Sequence, residues 1–90
     1  MLTGCIEENT DYHGNDLSLK ENISSPSACA CACSDNPLCS VFTWTEIDGI
    51  CWLKKSDKGR KTSKGSYSGS LHCCTGAGKA QHTNKGLSIK

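Results

Sequence analysis

Eight cysteines in ninety residues constrain this chain more than anything else in it: Cys5, Cys29, Cys31, Cys33, Cys39, Cys51, Cys73 and Cys74. An even number at this density in a short chain reads as a disulfide framework made in an oxidising compartment. The framework is needed. Only 36% of residues are apolar, and the aromatics are limited to Tyr12, Phe42, Trp44, Trp52 and Tyr67. Burial on that scale barely offsets chain entropy, whereas each native bridge in a small secreted domain contributes about 2–5 kcal/mol.

Ninety residues suit one core rather than two. The net charge of +1 gives no global field to attract nucleic acid, so an electrostatic partner has to be met by a local patch. No stretch approaches the roughly 20 apolar residues of a membrane span. Met1 to Gly4 lead into Cys5 without the apolar run of a secretory signal. The expectation is a module excised from a longer, multidomain secreted protein.

A helix is predicted from Ser25, with Ser25 as cap, Pro26 at the first helical position and Ala28, Ala30 and Ala32 favouring helix. Pro37 closes it near Ser34 or Asp35, after about three turns. Ser40 to Ile47 and Ile50 to Leu53 are β-branched and aromatic, and Asp48-Gly49 between them signals a hairpin. Lys54 to Gly65 reads as a polar, basic loop, and Tyr67 to Cys73 as a closing strand. Thr10 to Ile23 holds short strand or turn segments without a clear order. Residues 75–90 have almost nothing to bury and read as a flexible linker toward the next module, leaving residues 5–74 as the domain.

Residues four apart on a helix share a face, so Cys29 and Cys33 point together and Cys31 elsewhere. Their natural targets are Cys39, just past the helix, and Cys51 in the second hairpin strand. A competing reading is a metal site built from Cys-x-Cys-x-Cys with His13, His72 and His82. The absence of any Cys-x-x-Cys weighs against both a zinc knuckle and a thioredoxin-like redox centre. Neither a metal nor another cofactor is expected.

Read in order, the chain carries Cys5, then Thr10-Asp11-Tyr12-His13-Gly14-Asn15-Asp16-Leu17, then Ser24-Ser25-Pro26-Ser27-Ala28-Cys29. Cys33 and Asn36-Pro37-Leu38-Cys39 follow, then Val41-Phe42-Thr43-Trp44, Cys51-Trp52-Leu53-Lys54-Lys55 and Ser68-Gly69-Ser70-Leu71-His72-Cys73. This series resembles the PAN/apple domain, and within it the tandem apple domains of apicomplexan (coccidian) microneme adhesins. The resemblance spans Cys5 to Cys73, about three quarters of the chain.

It implies an α+β fold, a small disulfide-rich module with one α-helix packed across an antiparallel β-sheet. Two bridges would join helix to central strands, and in many members a third joins the termini. Helix geometry and the resemblance together pair Cys29 with Cys51 and Cys33 with Cys39. Cys5 then pairs with Cys73 or Cys74, and Cys31 with whichever remains. Cys31 and the Cys73-Cys74 doublet depart from the family pattern and suggest a fourth bridge.

No nucleophile elbow, His-Glu-x-x-His or phosphate loop is present, so the chain is not expected to be an enzyme. The resemblance implies a secreted adhesion module, held in the microneme organelle before release, that contacts glycan or glycoprotein on a host-cell surface and sits among sibling apple domains. Alternatives are a protein-binding module and a passive spacer in a tandem array. The candidate contacts are Lys54, Lys55, Lys58, Arg60, Lys61 and Lys64, six of the ten basic residues, which could hold sulfate or carboxylate groups. The bland reading of that run is a solvated loop.

Trp52 is a further candidate. If Cys51 and Leu53 face the helix, Ile50 and Trp52 face away, where Trp52 could stack on a sugar. Core packing of Trp52 and Trp44 beneath Tyr12 and Leu17 is the competing reading. Asn22-Ile23-Ser24 is an N-glycosylation sequon that would put Asn22 at the surface.

Overall fold

The computed structural model describes residues 5–74; the expected linker, 75–90, and His82 lie outside them. The helix α1 runs Pro26–Ser34, with the Ser25 side chain accepting from the Ala28 amide at 3.1 Å and Pro26 opening the first turn. Its nine residues make two and a half turns. Every residue from Ala28 to Cys33 is buried, so the helix is covered all round and owes its polar-poor composition to that.

Among the described residues five strands form one antiparallel sheet in the order β1-β5-β3-β4-β2. They are β1 Glu7–Tyr12, β2 Asp16–Lys20, β3 Val41–Thr45, β4 Ile50–Lys54 and β5 Arg60–Ser70. The hairpin signal falls on β3 and β4, with Gly49 at φ +66° closing the turn and Ile47 out at its tip, 94% exposed. In register, Phe42 faces Leu53 and Trp44 faces Cys51. These four lie on the helix side and form the core with Cys29, Ala30, Ala32, Cys33, Cys39 and Cys73.

The sulfurs complete what alanine cannot. Cys29 bridges to Cys51 and Cys33 to Cys39, both from the face of α1 turned to the sheet. Cys31, on the other side, bridges to Cys74 just after a 3-10 turn, Leu71–Cys73. Cys5 bridges to Cys73 and ties the start of the domain to its end.

The segment read as a loop from Lys54 to Gly65 is corrected by the structure. Lys54 ends β4, and Arg60 onward belongs to β5. The closing strand also stops earlier, at Ser70, where that side chain accepts from the His72 amide and starts the 3-10 turn. The cause is topological. β1 and β2 occupy opposite edges, so the chain must cross the sheet between them, and β4 must pass β3 to reach β5.

Next to those crossings the end of β1 and the start of β5 pair with one another, Thr10 with Thr62, Asp11 with Lys61 and Tyr12 with Arg60, and β1 there meets Thr43, which alternates with the helix-side Phe42 and Trp44. The ribbon breaks its register at Asn9, which is left-handed at φ 55°. It then seats on hydroxyls: the Tyr12 amide donates to Thr43 Oγ1 at 3.4 Å, and Ser68 Oγ donates to the Thr10 carbonyl at 2.6 Å. Thr43 and Ser68 hydroxyls meet at 2.7 Å. Thr10, Thr43, Ser66 and Ser68 are all buried, and among the described residues no buried side-chain nitrogen or oxygen lacks a partner, as burial of polar groups requires.

Two outcomes are expected. Under the chain-entropy account, removing a bridge costs more the longer the loop it closes: about 2 kcal/mol for Cys33–Cys39 and about 4 for Cys31–Cys74, which are 6 and 43 residues apart. Denaturant unfolding of the two double-alanine variants checks this, and a reversed order refutes it. Gly59, at φ +84°, would place a Cβ 2.4 Å from the His13 carbonyl oxygen. Gly59→Ala should therefore cost more than about 2 kcal/mol and should perturb the amide resonances of residues 13–15 first.

Candidate functional site

The face opposite the helix carries a cavity of about 490 Å³ where the ribbon ends. Its floor is Thr43, Thr45, Trp52 and Lys54 from the sheet, and its walls are Asp11, His13, Gly14 and Asp16 on one side and Ser63 and Ser66 on the other. Strand alternation explains the floor. Cys51 and Leu53 of β4 are buried on the helix side, so Trp52 and Lys54 take the opposite side.

Trp44 and Trp52, weighed together as core, are divided by the structure. Trp44 packs in the core, donates from Nε1 to the Ile23 carbonyl at 2.8 Å and lies 5.8 Å, centroid to centroid, from Tyr67. Trp52 stays partly exposed and lines the cavity. Leu17 packs against the helix-side core, so it cannot cover Trp52.

The wall is held by backbone contacts. Gly14 and Asn15 are both left-handed, at φ +85° and 59°. The His13 amide donates to the Gly59 carbonyl at 2.9 Å and the Lys55 amide to the Asn15 carbonyl at 3.0 Å. Lys54, 4% exposed, reaches up from β4 to place Nζ 2.6 Å from Asp16 Oδ1, 3.3 Å from the Gly14 carbonyl and 4.0 Å from Asp11 Oδ1. Asp16 and Asp11 keep side chains 47% and 21% exposed.

The six basic candidates do not converge. Lys54 is buried and paired. Arg60 is exposed but sits 3.3 Å from Glu7 Oε2, whose other oxygen accepts from the Tyr12 hydroxyl at 2.6 Å. Burial, and then the Glu7 carboxylate, hold the Tyr12 phenol above its ordinary pKa of 10, so it remains a donor to Glu7. Lys55, Lys58, Lys61 and Lys64 are exposed along the ribbon and the turn leading into it.

Asn22 is exposed and left-handed at φ 61°, in the turn after β2. His13 and His72 are exposed. All eight cysteines are in disulfides, which leaves no thiolate to ligate a metal.

Asp11, Asp16, Thr45, Ser63 and Ser66 were not singled out from sequence as site residues. The only local signal was Asp11 and Asp16 flanking Gly14-Asn15, a pair of turn formers that brings the carboxylates back toward one another.

Comparisons with known proteins place this architecture. A PAN domain family profile matches residues 10–54, half of the chain. The two N-terminal apple domains of Toxoplasma gondii microneme protein 4 are similar at 28% identity and a TM-score of 0.63 over 73% of this chain. This chain spans 44% of that two-domain fragment. A PAN module from Eimeria tenella shares the fold, at 24% identity and a TM-score of 0.59, over 83% of this chain and 87% of its own. No curated protein matches. The helix braced across the antiparallel sheet by its disulfides is the PAN/apple architecture, and the chain belongs to the PAN domain family.

Proposed function

We propose that this domain is an extracellular adhesion module of a secreted, microneme-type protein, and that it binds carbohydrate on a host-cell surface through the cavity floored by Trp52. PAN/apple domains are binding modules, and the related Toxoplasma fragment carries two apple domains in tandem, which supports sibling domains beside residues 5–74. The observation that carries the reading is the cavity's chemistry: one aromatic face beside two carboxylates and the hydroxyl-bearing Thr45, Ser63 and Ser66. A pyranose offers the complement, an apolar C–H face for the indole and a rim of hydroxyls that donate to carboxylate oxygens.

A sulfated glycan is the weaker ligand on this reading. Two acids line the cavity, Lys54 is already paired, and Arg60 is engaged with Glu7. The exposed Lys55, Lys58, Lys61 and Lys64 remain available to polyanions, and that separate mode has its own signature in salt.

Titration of neutral mono- and disaccharides, followed by amide shifts of residues 11–16, 45, 52 and 63–66, tests the proposal. Binding should change little between low and physiological salt. Trp52→Ala should weaken it about tenfold, the effect of about 1.4 kcal/mol, while changing Lys55, Lys58, Lys61 and Lys64 together to Gln should leave it intact. Binding confined to sulfated chains, steeply salt-dependent and abolished by the four Gln substitutions, would transfer the function to the ribbon. A host partner retained after complete deglycosylation would favour protein recognition.

A further inference from the structure

Lys54 is the one buried charged residue among those described, and the glycan reading above does not explain why a lysine should lie beneath a sugar site. Its ammonium has three N–H donors. Asp16 Oδ1 and the Gly14 carbonyl take hydrogen bonds at 2.6 and 3.3 Å, and Asp11 Oδ1 lies at ion-pair distance, 4.0 Å. All three partners lie on the wall formed by the end of β1, the turn after it and the start of β2, and the side chain is 4% exposed against 47% for Asp16 and 21% for Asp11. A ligand entering the cavity therefore meets two partly exposed acids already paired with a lysine that is almost fully covered.

We propose that Lys54 determines the cavity's specificity through its charge: its ammonium offsets the charge of Asp11 and Asp16, so that a neutral hydroxyl-rich ligand is selected over a cationic one. The proposal rests on the reading of this cavity as a glycan site. Without the ammonium, two carboxylates would share one cavity uncompensated. Such a site attracts a protonated amine, and more so with the Trp52 face available for cation–π contact. With the ammonium in place, a sugar hydroxyl donates to a carboxylate that is already fixed in position, and an amine gains less. Sulfate and carboxylate groups are disfavoured in either case, because acid oxygens face them.

The experiment uses the whole chain with Lys54→Met, Lys54→Gln and Lys54→Arg. The probes are neutral hexose methyl glycosides and the matched 2-amino-2-deoxy sugars at neutral pH. The wild type and Lys54→Arg should prefer the neutral glycosides. Lys54→Met should shift the preference at least tenfold toward the amino sugar, and the new binding should weaken as salt is raised. Lys54→Gln is a second neutral variant that retains a polar N–H group on a shorter side chain; it removes the charge if the methionine variant is unstable, and it should shift the preference in the same direction.

A preference within twofold of wild type in a folded neutral variant, or equal loss of both ligand classes, overturns the proposal and leaves Lys54 as a structural clamp. A wild type that binds no saccharide is a different result, because it sinks the glycan reading itself and takes the present proposal with it.

Discussion

Everything in this domain depends on the sulfur clamp between a very short helix and the central hairpin. The helix α1 offers Cys29, Ala30, Ala32 and Cys33 to the core, a surface too small to hold a helix on a sheet by burial alone. At about 25 cal/mol per Å² of apolar surface, alanines contribute little, and nine residues are too few to be helical in isolation. Cys29–Cys51 supplies the missing attachment to β4, and Cys33–Cys39 ties the helix to the segment that leads into β3. Phe42 and Leu53, at 0% and 1% exposure, are sealed beneath it. The clamp therefore concentrates the apolar core on one face of the sheet.

That concentration frees the other face for polar work. In a chain with five aromatic residues, a sheet cannot be covered by apolar layers on both sides. The second side is covered by the Thr10–Tyr12 and Arg60–Thr62 ribbon resting on Thr43 and Ser68. A hydroxyl layer is acceptable only when every group is satisfied, and it is. The layer also ends abruptly. Past Tyr12 the chain turns through Gly14 and Asn15, contact with the sheet passes to the Lys54 ammonium, and the cavity opens where hydroxyl packing stops. The candidate site is thus a consequence of the crossover rather than an addition to it.

This division explains what could be read from sequence. The helix was legible because Ser25 and Pro26 act locally and because Pro37 forbids continuation. The hairpin was legible because β-branched runs flank Asp48-Gly49, and strand alternation placed Cys51 and Trp52 on opposite faces. Each of these signals spans a few residues. The ribbon has no such signal: Arg60 to Gly65 carries two lysines and a glycine, residues depleted in strands, and it becomes a strand only because Thr10–Tyr12 arrives from about fifty residues away. The same distance hid the role of Lys54, which in sequence heads a basic run and in space is the counter-ion of Asp16 and Asp11. Charge composition identified the cations and could not say which of them already had partners.

The basic run and the cavity also act at different ranges. A hydrogen-bonded contact operates within about 3 Å, whereas Lys55, Lys58, Lys61 and Lys64 are exposed to solvent along the ribbon and the turn leading into it, where their field reaches roughly 8–10 Å at moderate salt. Fields of that kind raise the rate of encounter with an anionic surface more than they lengthen the life of a complex. Lys54 is excluded from this role because its charge is spent internally. A net charge of only +1 therefore conceals two separate arrangements, a locally basic run exposed to solvent and, a few ångströms away, a cavity whose two acids are paired with Lys54.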